Sequence, residues 1–182
     1  KVGFNTPTGR IELWSNYYRN ISLPELPYFE EPESQYSLPD LAEQYPYILT
    51  TGARNWPSFH SEHRQIPRLR AMRPDPLIEI HPETAAKEGV KEGDWVWVEN
   101  HRGRCKRRVK IAPTLSDARL INTDHGWWLP EAPAAEADGL FGLWDMAVNN
   151  LIPWEAGKSG FGTNYRSLIA TFYKAEDAQA HA

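Results

Sequence analysis

The clearest alternation of apolar and polar positions lies in two neighbouring stretches. From Asp94 to Asn100 (DWVWVEN), Val96 and Val98 share one face while Trp95 and Trp97 share the other. Arg102-Gly103 turns the chain back. Then Arg104, Lys106, Arg108 and Lys110 alternate with Cys105, Val109 and Ile111, a pattern that Arg107 breaks. A period of two puts successive side chains on opposite faces, so both stretches are predicted strands. Shorter runs at Gly9–Ser15, Tyr45–Thr51, Leu77–Ile80, Ala118–Asn122 and Tyr165–Lys174 read as further strands.

Helical signals are few. His81-Pro82-Glu83-Thr84 looks like a helix start, because proline at the first helical position forfeits only an N–H that has no partner there. Gly89 stops that helix. A second helix is expected from about Glu62 to Met72, capped by Ser61 and disturbed by Pro67. Pro24, Pro27, Pro32 and Pro39 forbid regular structure between Asn20 and Asp40, which is expected to be an extended strap. Six or so short strands, two short helices and long loops predict a mainly β fold. A closed barrel is favoured over a doubly wound sheet, because no regular long helices separate the strands. The expected organisation is an N-terminal strand and Pro-rich strap over residues 1–40, a barrel over 41–175 and a disordered tail over 176–182.

Composition narrows the function. The 182 residues carry a net charge of −4, which leaves no overall nucleic-acid footprint. The basic strand from Arg104 to Lys110 has no aromatic residues interleaved on its basic face, so a solvated wall or a seat for an acidic neighbour is the better reading. A single cysteine, Cys105, excludes an internal disulfide, a CxxC metal site and iron–sulfur ligation within this chain. No run of eighteen apolar residues is present, so no membrane-spanning helix is expected. The opening KVGFNTPTGRIELWS, without Met, reads as a piece of a longer protein.

Several polar groups could carry chemistry. Thr50-Thr51-Gly52 ends a predicted strand, where glycine admits close backbone approach and the hydroxyl and N–H groups can hold a phosphate or purine edge. His60 and His63 form an HxxH pair, but no third ligand lies nearby in sequence, so a metal site is the lesser reading. Asp124-His125-Gly126-Trp127-Trp128 joins a carboxylate and an imidazole to two indoles that can equally pack against a neighbour. A small hydrolase using His60, Asp124 and His125 as acid and base lacks a nucleophile motif.

Taken in order, TTGAR (50–54), FHSEHRQ (59–65), DPLIEIHPETAAKEGVKEGDWVWVENHRGR (75–104), DHGWW (124–128), VNNLIP (148–153) and the closing YRSLIATFYKA resemble the C-terminal dinucleotide-binding domain of the dimethyl sulfoxide reductase family. The resemblance runs from about Gly9 to Ala175. It implies a six-stranded double-psi β-barrel. It also implies a bis-molybdopterin guanine dinucleotide cofactor, whose molybdenum or tungsten is held by polypeptide outside this chain. Such a fragment is expected to bind part of the cofactor and to catalyse nothing by itself.

Residue by residue, the resemblance places Thr50, Thr51 and Gly52 against a pterin dinucleotide and gives Arg54 a phosphate or pterin contact. It turns His60 and Ser61 toward the pterin system. Asp124 is the candidate acceptor for guanine N1–H and N2–H, with Asn122 as its rival. Asn149 and Leu151 fall in the family's Asn-x-Leu-Thr segment, where Ile152 replaces the usual Thr. Tyr165 and Arg166 match a late aromatic–basic pair. The implied partners are upstream catalytic domains of one parent chain and an iron–sulfur electron-transfer subunit. The parent would be cytoplasmic or periplasmic in a prokaryote, with the cytoplasm favoured. The alternative is an independent double-psi barrel that binds a protein partner.

Overall fold

The computed structural model describes residues 3–26, 28, 37–53, 55–60, 62–125, 143–153 and 166–175. The N-terminal arm carries α1 (Asn16–Asn20) and α2 (Pro39–Ala42). Then follow β1 (Tyr47–Ala53), α3 (Pro67–Met72), β2 (Leu77–Ile80), α4 (Pro82–Glu88), β3 (Trp95–Asn100), β4 (Gly103–Ile111), β5 (Leu120–Asp124), α5 (Leu143–Met146), a 3-10 turn (Val148–Leu151) and β6 (Leu168–Lys174). The six strands close into a barrel in the order β1-β5-β2-β4-β3-β6. Pairs β1–β5 and β2–β4 are parallel, and the other four are antiparallel.

Alternation along the strands builds the interior. Leu49, Ile78, Ile80, Val96, Val98, Cys105, Val109, Ile121, Leu168, Ala170 and Phe172 point inward and form one apolar cluster. Arg107 does not interrupt the geometry of β4: it takes the inward position between Cys105 and Val109 and is fully buried. On the outer wall, Arg104 lies over Trp97 at 4.2 Å and Lys106 over Trp95 at 5.6 Å, so the indoles flank the basic row rather than the core. The expected helix after His81 forms over Pro82–Glu88 and ends at Gly89, whose φ of 67° suits glycine.

Three expectations are corrected. Gly9–Ser15 is not a strand: it passes through bends into α1, which Ser15 caps by accepting from the Tyr18 N–H at 3.2 Å. Ile11 and Leu13 are 69% and 81% exposed, and among the described residues no strand pairs with this segment to make it one. The helix expected from Glu62 begins only at Pro67, because Ile66 before the proline is held extended (φ −85°, ψ 112°). The fifth strand runs over 120–124 rather than 118–122. Arg54, Ser61, Trp127, Trp128, Tyr165, residues 29–36 of the strap and the 176–182 tail lie outside the described residues.

Candidate functional site

Strand direction decides what meets at the barrel's ends. Since β1 and β5 are parallel, both finish at the same mouth. Strands β2 and β6 run against them and start there, and the β3–β4 hairpin turns there. Thr51, Gly52, Asp124, the β3–β4 turn and Arg166, two residues before β6, therefore share one end of the molecule.

At the end of β1 the register slips between Thr51 and Ala53, and Gly52 sits at φ 99° in that bulge. A side chain there would be strained, so glycine permits the bend that leads the chain away. The following loop folds back on itself: Ser58 N–H donates to Asn55 O at 3.2 Å, and Glu62 N–H to Phe59 O at 2.8 Å. His60 and His63 both adopt positive φ, 54° and 71°, so the HxxH pair lies on turns and not on one helix face. His60 Nδ1 meets Nε2 of His125, which follows β5, at 2.5 Å. That contact requires one ring to donate and the other to keep its lone pair.

Around this pair lies a cleft of about 410 Å³, lined by Asn55, Trp56, Pro57, Ser58, Phe59, His60, His63 and His125. The size suits a small heterocyclic ligand. Two of its polar atoms, Asn55 Oδ1 and Ser58 Oγ, are buried without a partner. Buried polar atoms are ordinarily bonded, so these two lining residues keep hydrogen-bonding capacity that the chain itself does not use. Trp56 and Phe59 are 74% and 57% exposed and offer ring faces at the same rim. Among the described residues no three His, Cys, Asp or Glu side chains form a metal-ligating group.

Other predicted residues are placed less directly. Thr50 and Asn122 are cross-strand partners on the outer wall. Asn122 Nδ2 donates there to Glu79 Oε2 at 2.8 Å, and Lys110 Nζ donates to Glu79 Oε1 at 2.7 Å. Burial pushes the Glu79 carboxyl upward, but Lys110, Asn122 and the Arg73 charge outweigh it and leave it below its ordinary value. Asp124 is 1% exposed, and both of its oxygens accept from Arg73, at 2.9 and 2.8 Å. Burial raises its carboxyl above the usual range, against the opposing pull of Arg73 and Arg107. A guanine edge at Asp124 would thus have to displace Arg73.

The 3-10 turn rests on the start of β4. Asn150 Nδ2 donates to Arg104 O at 3.2 Å and to Trp144 O at 2.5 Å, and Asn100 Nδ2 donates to Leu151 O at 2.9 Å. Asn149 is exposed, whereas Leu151 is a core residue whose side chain faces inward. The structure thus places His60 in the cleft lining, with Thr51 and Gly52 at the end of β1 at the same mouth. It holds Asn149 and Arg166 at the same end but outside the cleft lining, and it turns Thr50 and Asn122 away.

Asn55, Trp56 and Ser58 were not singled out from sequence. The visible signal was an aromatic pair inside an otherwise polar loop. Arg73 gave no signal, being 51 positions from Asp124.

Comparison with known proteins agrees with this architecture. The family described as molydopterin dinucleotide binding domain matches residues 47–167. The dopamine dehydroxylase of Eggerthella lenta is 37% identical over 180 residues, covering 96% of this chain and 17% of that protein. Acetylene hydratase of Syntrophotalea acetylenica is 37% identical over 142 residues, 78% of this chain and 19% of that protein. The solved acetylene hydratase from Pelobacter acetylenicus superposes with a TM-score of 0.84 at 33% identity, over 96% of this chain and 24% of that one. The chain spans about a fifth of the length of these curated relatives. A closed six-stranded barrel with a ring-sized cleft at one mouth, matched along most of its length to such proteins, belongs to the molydopterin dinucleotide-binding domain family of the molybdenum and tungsten oxidoreductases.

Proposed function

We propose that this chain is the C-terminal, cofactor-gripping domain of a larger molybdenum or tungsten oxidoreductase. In that role it holds the guanine dinucleotide and pterin part of a bis-molybdopterin guanine dinucleotide. The observation that carries the reading is the cleft beyond β1 and β5, where Asn55 Oδ1 and Ser58 Oγ are buried unpartnered beside the His60–His125 pair. Its rings and polar atoms fit a flat heterocycle with hydrogen-bonding edges.

When bound, the metal–pterin group supplies the reactive centre. This chain supplies grip and orientation. Thr51 and Gly52 offer backbone at a bulge, His60 an imidazole at the cleft, and Asn149 and Arg166 an amide and a cation at the same mouth. Asp124 is the proposed guanine acceptor once Arg73 swings away, and Thr50, Asn122 and Leu151 act through the barrel wall and core.

The rest of the parent would cover what this chain leaves open. Ile11, Leu13, Trp14 and Tyr17 of the arm are 69%, 81%, 48% and 63% exposed, and they suit a seat on upstream catalytic domains. An iron–sulfur electron-transfer subunit would then meet the parent rather than this barrel.

Titration with the released cofactor, and with GMP, tests the reading through tryptophan fluorescence. Weak saturable binding is expected, because much of the binding crevice belongs to other polypeptide. Absence of any saturable change with either ligand would count against it. Unchanged GMP binding by Asp124→Ala would remove the guanine role from Asp124.

A further inference from the structure

Among the described residues, Arg107 alone combines a formal charge with no exposure at all. Its Nε donates to Thr123 Oγ1 at 2.8 Å, and its Nη1 donates to the carbonyls of Lys106 at 2.9 Å and Met146 at 2.7 Å. Its Nη2 is buried with no partner. All three acceptors are uncharged. A guanidinium keeps its charge inside a protein, and a buried cation without a bonded counter-ion is costly unless an anion compensates it.

The local carboxylate does not fill that role. The Arg107 charge acts on Asp124, but both oxygens of Asp124 already accept from Arg73. Two guanidiniums thus share one carboxylate. None of the eight residues lining the cleft at this end of the barrel is acidic, and three are histidines. Arg107 also bonds two segments that lead to the mouth. Thr123, which it grips, is two residues before His125 of the cleft, and Met146 is three residues before Asn149.

We propose that Arg107 is the resident counter-charge for the phosphate or pyrophosphate of a ligand bound at this end of the barrel. It acts from beneath the mouth and sets a preference for phosphorylated over unphosphorylated nucleotides. The inference rests on the functional reading above and adds to it the source of its anion selectivity. A charge in low-dielectric surroundings is felt over several ångströms, so direct contact is not required.

Guanosine and GDP, titrated separately against the whole chain, provide the test. The unaltered chain should bind GDP more tightly than guanosine. Arg107→Met, similar in length but uncharged, should reduce that ratio by at least about fivefold, while Arg107→Lys keeps it and guanosine binding stays alike in all three. An unchanged ratio in Arg107→Met, or equal weakening of both ligands in both variants, overturns the proposal and leaves Arg107 a purely structural residue.

If Arg107→Met does not fold, the side-chain nitrogen resonances of Arg107 in the unaltered chain decide instead. Inorganic pyrophosphate should shift them and guanosine should not, and failure of pyrophosphate to do so overturns the proposal. Equal binding of GDP and guanosine by the unaltered chain defeats this inference alone. Absence of binding by any nucleotide and by the released cofactor defeats the functional reading, and this inference with it.

Discussion

Arg73, on the segment leading into the neighbouring β2, clamps Asp124 at the end of β5, its Nε and Nη2 each donating to a different carboxylate oxygen at 2.9 and 2.8 Å. The carboxylate side chain is 1% exposed and the guanidinium 16%, so neither is well screened by solvent. The clamp closes the end of β5 directly before His125.

Removing Arg73 strands a buried carboxylate. Arg73→Met is expected to destabilise the chain by about 3 kcal/mol, and Asp124→Asn in that background should restore part of the loss. Urea unfolding of the single and double variants measures both. A loss below about 1 kcal/mol in Arg73→Met would show that water reaches Asp124 freely.

The carboxylates of Asp124 and Glu79 should oppose one another in pH dependence. The folded value of Asp124 is raised by burial. Its contribution is therefore full below the unfolded value and declines as pH rises through the folded one. The stability of the chain relative to Asp124→Asn should accordingly fall as pH rises above the ordinary carboxylate range.

Glu79 behaves in the reverse sense. Its carboxyl lies below the ordinary value because Lys110 and Asn122 hold the charged form against its own burial. Its contribution is present above the unfolded value and is lost as pH falls through the folded one. Acid titration of stability should thus be shallower in Glu79→Gln than in the unaltered chain. A steeper curve would show that Glu79 is not held in its charged form.

Cys105 should be inert to thiol reagents in the folded chain. It is fully buried, and burial raises its thiol above the ordinary range, so thiolate is scarce as well as hidden. Reaction with a disulfide reagent should track global unfolding across a urea series. Fast stoichiometric labelling without urea would contradict the inward register of β4.

Gly103 is expected to be needed for the placement of Asn149. A Cβ at this position would lie 3.0 Å from the Asn150 carbonyl oxygen, so the 3-10 turn must move to admit it. Gly103→Ala should cost about 1 kcal/mol of stability and weaken cofactor binding, with little change in far-UV circular dichroism. Undiminished cofactor binding in a folded Gly103→Ala chain would remove the turn from the site.

The strands and the site were legible to different degrees. The β3–β4 hairpin could be read because a half-buried strand writes its two faces into alternate residues, as at Val96, Val98, Cys105 and Val109. Helix α4 was legible from Pro82 and Gly89, whose backbone preferences act locally. The arm was misread because GRIELWS has strand composition, yet a strand exists only where another edge accepts it.

Local chemistry thus determined the β3–β4 hairpin, the ends of α4, the absence of an internal disulfide and the likeness to a known family. Only the closed barrel decided that Arg73 meets Asp124, that His60 meets His125, that Thr50 and Asn122 face outward while Thr51 is buried, and that Arg107 is buried. The physical reason is range. Backbone propensities and side-chain periodicity act over a few residues, whereas these pairings depend on the order in which distant strands lie side by side.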